Sequence, residues 1–315
     1  MPVANTSNTS NTSNTSNTSN TSNTSNTSNT SGLAMAHAGQ ASSTQLSRSL
    51  LASADRVLEG VEFTDVKVPN PWPVKSGAQT FRSLHPKHRT ERIITALVDG
   101  ITMTEPVEGT DGRMNFTVSG AACSVDTSSD FWTEQLKIVL AARNLRGARN
   151  DELVLQQSDI ISYLALPVRL GPVTHPWTMA YLAAVHEAVV RLGAVIKGYF
   201  DYPRPEDLSA YIMPSIQTPA HSAFPSGHAM ESRALATVLA KLYPHDGVST
   251  ALDRLADRVT NNRVIAGVHF PVDGEVGQTI GRALGEAFYL RLQQRPSDFP
   301  ILGWLDDEIE SELGR

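Results

Sequence analysis

Cysteine is almost missing from this chain. Cys123 is the only one among 315 residues, which excludes an internal disulfide and argues against a cysteine-based metal cluster. A basic surplus is missing as well. The 26 Lys and Arg against 32 Asp and Glu leave a net charge of −6, the wrong sign for a general nucleic-acid binder, although local basic clusters stay open. No clean membrane anchor stands out. The longest apolar helical segment, Trp177 to Ile196, contains His186, Glu187 and Arg191, each costly at a bilayer centre. It reads as a buried helix of a soluble protein without a transmembrane segment. A charged n-region followed by an apolar h-region is also lacking, so the expected location is cytoplasmic, with export by another route left open.

What the chain does contain begins with nine uninterrupted Asn-Thr-Ser triplets, Asn5 to Ser31. The tract has no apolar group to bury, so nothing offsets the entropy of ordering it, and disorder is expected over residues 1–45. Its Asn-x-Ser acceptor sites matter only in a secretory context. Residues 46–315 are expected to form one domain. Within it, 61–129 reads as irregular, with prolines at 69, 71 and 73, one helix at "TERIITALVDGI" and a short strand at "MNFTVSGAACSV". From 129 to 294, six segments carry apolar residues at three- and four-residue spacing, which predicts a mainly α fold with a helical core bundle.

Three stretches of that bundle combine cations, histidines and helix ends. In "KGYFDYPRP", Lys197 closes a long helix and Arg204 follows seven residues later, after prolines force the chain out of it. Alone, these could be two solvated surface cations. In "FPSGHA", Pro225 suits a first helical turn, and Ser226 and Gly227 would present free backbone N–H groups at the positive end of the helix dipole. His228 follows, placed to give or take a proton on an anion held there. Alone, this could be an ordinary capped helix. In "NNRVIAGVHFPVD", a helix running to near Val268 would aim Arg263 and His269 into one cavity. Asp273 could then fix the His269 tautomer and free the other nitrogen as nucleophile or ligand. A salt-bridged helix end with a buried histidine fits equally. Together, one lysine, two arginines, a helix N-terminus and two histidines make a complete set for a tetrahedral oxyanion.

The order K-x6-RP, PSGH and R-x5-H-x3-D resembles the three-part signature of the type 2 phosphatidic acid phosphatase and vanadium haloperoxidase superfamily. The likeness spans Lys197 to Asp273. One departure is Asn262, where the phosphatase branch usually has serine. The resemblance implies that Lys197, Arg204 and Arg263 hold the oxygens of phosphate or vanadate, with hydrogen bonds from Ser226 and Gly227. It also implies that His269 is the nucleophile, or the single protein ligand to vanadium, that His228 is the acid and later the base, and that Asp273 orients His269.

One oxyanion cradle serves two reactions. The first expectation is a soluble, acid-phosphatase-like phosphoester hydrolase that needs no cofactor and acts on a small phosphoester or oxyanion. The alternative is a vanadate-dependent haloperoxidase oxidising halide with peroxide. His221, seven residues before His228, resembles a histidine found at that place in some bromoperoxidases and would modulate the pocket. A non-catalytic anion-binding protein is the third class. Phe200, Tyr202, Phe224 and Phe270 are candidates for the substrate wall, and equally for core.

Overall fold

A computed structural model describes residues 77–315; the Asn-Thr-Ser tract and the segment up to 76 lie outside the described residues. The architecture is mainly α. Eleven α-helices and one three-stranded sheet occur among the described residues. In chain order these are α1 (Gly77–Ser83), α2 (Pro86–Val98), β1 (Val107–Glu108), β2 (Arg113–Val118), β3 (Ala121–Asp126) and α3 (Ser129–Ala142). Then come α4 (Asn150–Ser158), α5 (Ile160–Ala165), α6 (Pro176–Gly198), α7 (Pro205–Leu208), α8 (Gly227–Leu242), α9 (Asp246–Ala266), α10 (Pro271–Gln294) and α11 (Pro300–Glu312).

The region expected to be irregular holds more order than its prolines suggest. Two helices precede an antiparallel meander in the order β1-β2-β3. The apolar run read as one strand is a hairpin, with Val118 opposite Ala121 and only Ser119 and Gly120 between them. Both turn residues have positive φ, 49° and 82°, the conformation that two-residue hairpins require. The segment "DELVLQQSDIISYLAL" is likewise two helices. Asp159 leaves the helical region at φ −152°, and its carboxylate accepts the Ser162 N–H at 3.0 Å, so it caps α5 and interrupts α4.

Helix α6 is the apolar segment singled out above. By length and composition it is able to cross a bilayer, with mean hydropathy 1.5, yet 61% of that window is buried inside the fold. Its first turn is capped by α11, a C-terminal helix beyond the expected bundle. The Glu312 carboxylate accepts the Trp177 N–H at 2.6 Å, and the Thr178 N–H and hydroxyl at 2.9 and 2.7 Å. A negative charge on the free amides of a helix start is favourable twice over, as hydrogen bond and against the dipole.

The seam that matters for the site is between α8 and α10. Gly277, Gly281 and Gly285 recur every four residues and so share one face of α10. A Cβ on Gly281 would lie 2.4 Å from the Met230 carbonyl oxygen, and one on Gly277 2.8 Å from that of Ser226. The missing side chains let the two backbones meet at the start of α8. The Ser226 N–H also donates to the Asp273 carbonyl at 2.9 Å, which locks the second sequence stretch onto the third.

Candidate active site

The first stretch places its cations by ending a helix. Lys197 is the penultimate residue of α6, and its ammonium donates to the Ser222 and Ala223 carbonyls, at 3.0 and 3.4 Å, and to that of Pro225. All three of its protons therefore brace the loop entering α8. Arg204 is 4% exposed and similarly engaged, donating to the carbonyls of Pro219 (2.9 Å), Val268 (2.8 Å) and His221 (3.2 Å). These two cations bring charge to the site while holding its walls together.

The second stretch departs from expectation in two respects. Pro225 does not lie in the first turn. It follows a cis peptide after Phe224 and precedes the cap, and α8 starts at Gly227 with Ser226 as N-cap. The Ser226 amide is not free, because Asp273 accepts it. The free donors are one step along: the amides of Gly227 and His228, as N1 and N2, have no acceptor of their own among the described residues. The Ser226 hydroxyl does not cap the helix; it is buried without a partner, as is His228 Nε2.

The third stretch depends on how α9 stops. Gly267 has φ +84°, its N–H donates to the Val264 carbonyl (3.0 Å), and the Val268 N–H donates to that of Arg263 (3.2 Å). This Schellman closure ends the helix at Ala266, two residues short of the expected boundary, and turns the chain toward His269 and the start of α10. His269 Nδ1 lies 3.0 Å from Asp273 Oδ2, which also accepts the Phe270 N–H at 2.9 Å. With Nδ1 engaged, Nε2 is the nitrogen left for a ligand. Arg263 is 2% exposed and gives Nη2 to Gln156 of α4 (3.2 Å), while its Nε is buried and unpartnered. Asn262, the departing residue, faces the same helix, donating to Glu152 and Gln156 at 3.0 Å each.

A cavity of about 380 Å³ opens between these parts. Lys197, Arg204, His221, Gly227, His228 and His269 line it. Ser226, Arg263 and Asp273 do not line it and are buried behind that wall. His221 is exposed at the rim, its Nδ1 3.3 Å from Arg204 Nη2. The four aromatic wall candidates are absent from the lining. Phe200, Tyr202 and Phe224 pack on one another with centroids 4.8 to 5.5 Å apart, and Phe270 stacks edge-on against Trp132. The wall is instead made by Val190, Gly193 and Ala194 of α6 and Met230 of α8. Two titratable lining or near-lining groups escaped the sequence reading: Glu231 of α8, and His186 of α6 beside it at 3.4 Å. Glu231 sits one turn after His228, so helical spacing could have found it; His186 stood out only as a polar residue in an apolar run.

Burial and cations fix the protonation states. Burial, then Arg204, Lys197, His228 and Arg263, hold His269 well below the usual histidine range, so it is neutral. Burial and Arg263 push His228 down to about 4, with Glu231 opposing. Burial also pushes Lys197 down and Asp273 up, and the two oppose one another's shift through their opposite charges. A neutral imidazole with one nitrogen tied to a carboxylate and the other facing a cavity can attack or ligate. Unpartnered donors beside it can hold oxygens.

Fold and site together define a helical protein with a cation-lined cavity at a helix N-terminus. Residues 176–297, from the start of α6 to just past α10, match the family model described as the PAP2 superfamily. All nine candidate residues fall inside the matched span. Among solved structures, the chain is similar to one described as the first transmembrane PAP2 type phosphatidylglycerolphosphate phosphatase from Bacillus subtilis. Identity is 22%, coverage 54% of this chain and 90% of that chain, and the TM-score 0.44, a level that bears neither on activity nor on a membrane. No curated protein matches the chain.

Proposed function

We propose that this protein hydrolyses small phosphoesters through a phosphohistidine on His269. The observation that carries the reading is the set of unmade hydrogen bonds in the wall of one cavity and just behind it. His269 Nε2 is open, the Gly227 and His228 amides are free, and Ser226 Oγ, Arg263 Nε and His228 Nε2 are buried without partners. Such orphaned groups each cost roughly 1–3 kcal/mol when left unsatisfied, and a bound phosphoryl group would satisfy several at once.

In the first step His269 Nε2 forms a bond to phosphorus as the bond to the leaving oxygen breaks, in line on the opposite side. His228 gives its proton to that oxygen, so an alcohol departs. In the second step water attacks phosphorus, its proton goes to His228, the N–P bond breaks and phosphate is released. Arg263, Ser226 Oγ and the α8 amides hold the equatorial oxygens, with Lys197 and Arg204 adding positive charge. Asp273 keeps the Nδ1–H tautomer of His269 and stabilises the charge that develops on attack. Helix α6 is read as a core helix, since its polar residues Thr178 and His186 are buried inside the fold, and the protein is read as soluble.

The same donors fit vanadate, and His221 against Arg204 is the observation favouring a second reading, vanadate-dependent halide oxidation with His269 as the ligand. The test is p-nitrophenyl phosphate hydrolysis with and without vanadate, followed by bromination of a dye by vanadate-loaded protein with peroxide and bromide. Phosphate release that vanadate blocks, and that His269→Ala abolishes, is expected. Bromination without phosphate release would replace the first reading with the second.

A further inference from the structure

The mechanism above leaves one buried charge unused. Glu231 faces the cavity from α8 at 7% exposure, and no Lys or Arg pairs with it among the described residues. Its only ion-pair neighbour there is His186 of α6, 1% exposed, with Nε2 3.4 Å from Oε2 but out of hydrogen-bond geometry. A carboxylate in an anion cavity repels the substrate, so it needs a reason to be there.

Its position supplies one. Glu231 and His228 are three apart on α8, which brings their Cβ atoms to about 5–6 Å on one face. We infer that Glu231 is a positioning residue for His228: its carboxylate raises the proton affinity of the imidazole on which the leaving oxygen draws, with His186 packed beside it at 3.4 Å. The inference rests on the phosphatase reading for the role of that proton.

The surroundings of His228 explain why such help is needed. From α6 it faces His186 and Lys197, and from α9 Arg263; His269 stands just before α10 and Asp273 in its first turn, with Arg204 buried in the cavity wall and His221 at the rim. Helix α5 brings only Tyr163, which lies toward Gln156, Glu152 and Arg149. Asp273 meets His269 and Phe270 through Oδ2, and its Oδ1 is buried without a partner. Among the groups acting on His228, Arg263, His186 and Lys197 drive its proton off and Glu231 alone favours it. Burial pushes Glu231 up, but His186, then His228 and Lys197, outweigh it and hold the carboxyl down to about 2, so it stays charged across the working range. Phosphate binding would reinforce Glu231 when the site fills, adding a second negative charge beside the imidazole.

The test is Glu231→Gln in the full chain, which keeps the shape and an oxygen for His186 but removes the charge. Two readouts apply: imidazole 15N titration of His228 without substrate, and kcat and KM for phosphates of graded leaving-group basicity across pH. The His228 titration should fall by about one pH unit or more, a tenfold change in proton affinity per unit. Alkyl phosphates should lose roughly 10–100-fold in kcat, p-nitrophenyl phosphate should lose far less, and KM should hold or fall. The alkaline limb of the rate profile should move to lower pH. Glu231→Asp, which keeps the charge, should restore most of the alkyl phosphate rate. An unmoved His228 titration, or a loss equal for all leaving groups in folded Gln and Asp variants, would overturn the inference. If the parent protein hydrolyses no phosphoester, the phosphatase reading fails while the titration still decides whether Glu231 holds the proton. Should the Gln variant not fold, a folded Asp variant with a lowered His228 titration would refute the charge effect by itself.

Discussion

Replacing Gly281 by alanine puts one methyl group into the seam that sets the two halves of the site. The added carbon would stand 2.4 Å from the Met230 carbonyl oxygen and 2.9 Å from Arg233 Cβ, about 1 Å short of the 3.4 Å of ordinary contact. Its first obstacle is backbone of α8, which cannot rotate aside as a side chain would. Either α8 and α10 separate or α10 bends, and overpacking of this kind costs about 1–3 kcal/mol. The displacement reaches chemistry directly, because α8 carries His228 and Ser226 while α10 carries Asp273 and, just before it, His269. A misplacement of about 1 Å between reacting groups can cost on the order of 100-fold in rate. Gly281→Ala should therefore lower the thermal midpoint and reduce kcat for p-nitrophenyl phosphate by roughly 10–100-fold. Gly147→Ala, where a Cβ meets nothing within 4 Å, serves as the control and should leave both unchanged. A Gly281→Ala protein with parental melting and parental kcat would refute the claim that the glycine seam sets the site.

Other predictions follow from single contacts. Asp273→Asn should remove the carboxylate that holds Nδ1–H of His269 and cost about 10³–10⁴ in kcat, read by steady-state kinetics on folded protein; a loss below tenfold would deny Asp273 its orienting role. Glu312→Ala uncaps α6 and should cost about 1–2 kcal/mol in urea unfolding with kcat nearly retained; unchanged stability would mean that water replaces the cap freely. Gly267→Ala forces a side chain to φ +84° against Arg146 and Ile212 and should lower stability by more than about 1 kcal/mol, measured in the same way. Stability should also fall in acid. His228 takes a proton near 6.5 when unfolded but near 4 when folded, so between those values the unfolded chain binds more protons and stability rises with pH. That contribution is full above about 6.5 and is lost as pH falls through 4; urea midpoints from pH 7 to 4 check it.

The bundle was legible because its helices carry strong apolar periodicity, and the site because its residue types recur at fixed spacing around helix ends. Lys197, Arg204, His228, Arg263, His269 and Asp273 all follow from such spacing; the fold sets Lys197, Arg204, His228 and His269 in one cavity wall and buries Arg263 and Asp273 behind it. What escaped depended on contacts made across the chain. The Ser226 amide looked free from its place at a helix start, but only the fold reveals the Asp273 carbonyl that takes it. Phe200, Tyr202, Phe224 and Phe270 looked suited to a wall because they flank the motifs, yet the hairpin and α3 supply Phe116 and Trp132 to bury them. The hairpin itself hid inside one apolar run, since Ser119-Gly120 is a short turn signal. Gln156 binds Arg263 and Asn262 from more than a hundred residues away, a pairing that no local pattern encodes.

The central claim is that His269 carries the phosphoryl group. The most direct measurement is rapid acid-free quenching of labelled phosphoester turnover by the His228→Ala protein, in which the second step lacks its base, followed by peptide mapping. The account predicts a label that is stable in alkali, lost in acid, and located on the peptide containing His269. A label on Ser226 that survives acid, or turnover at the parental rate by His269→Ala, would contradict it.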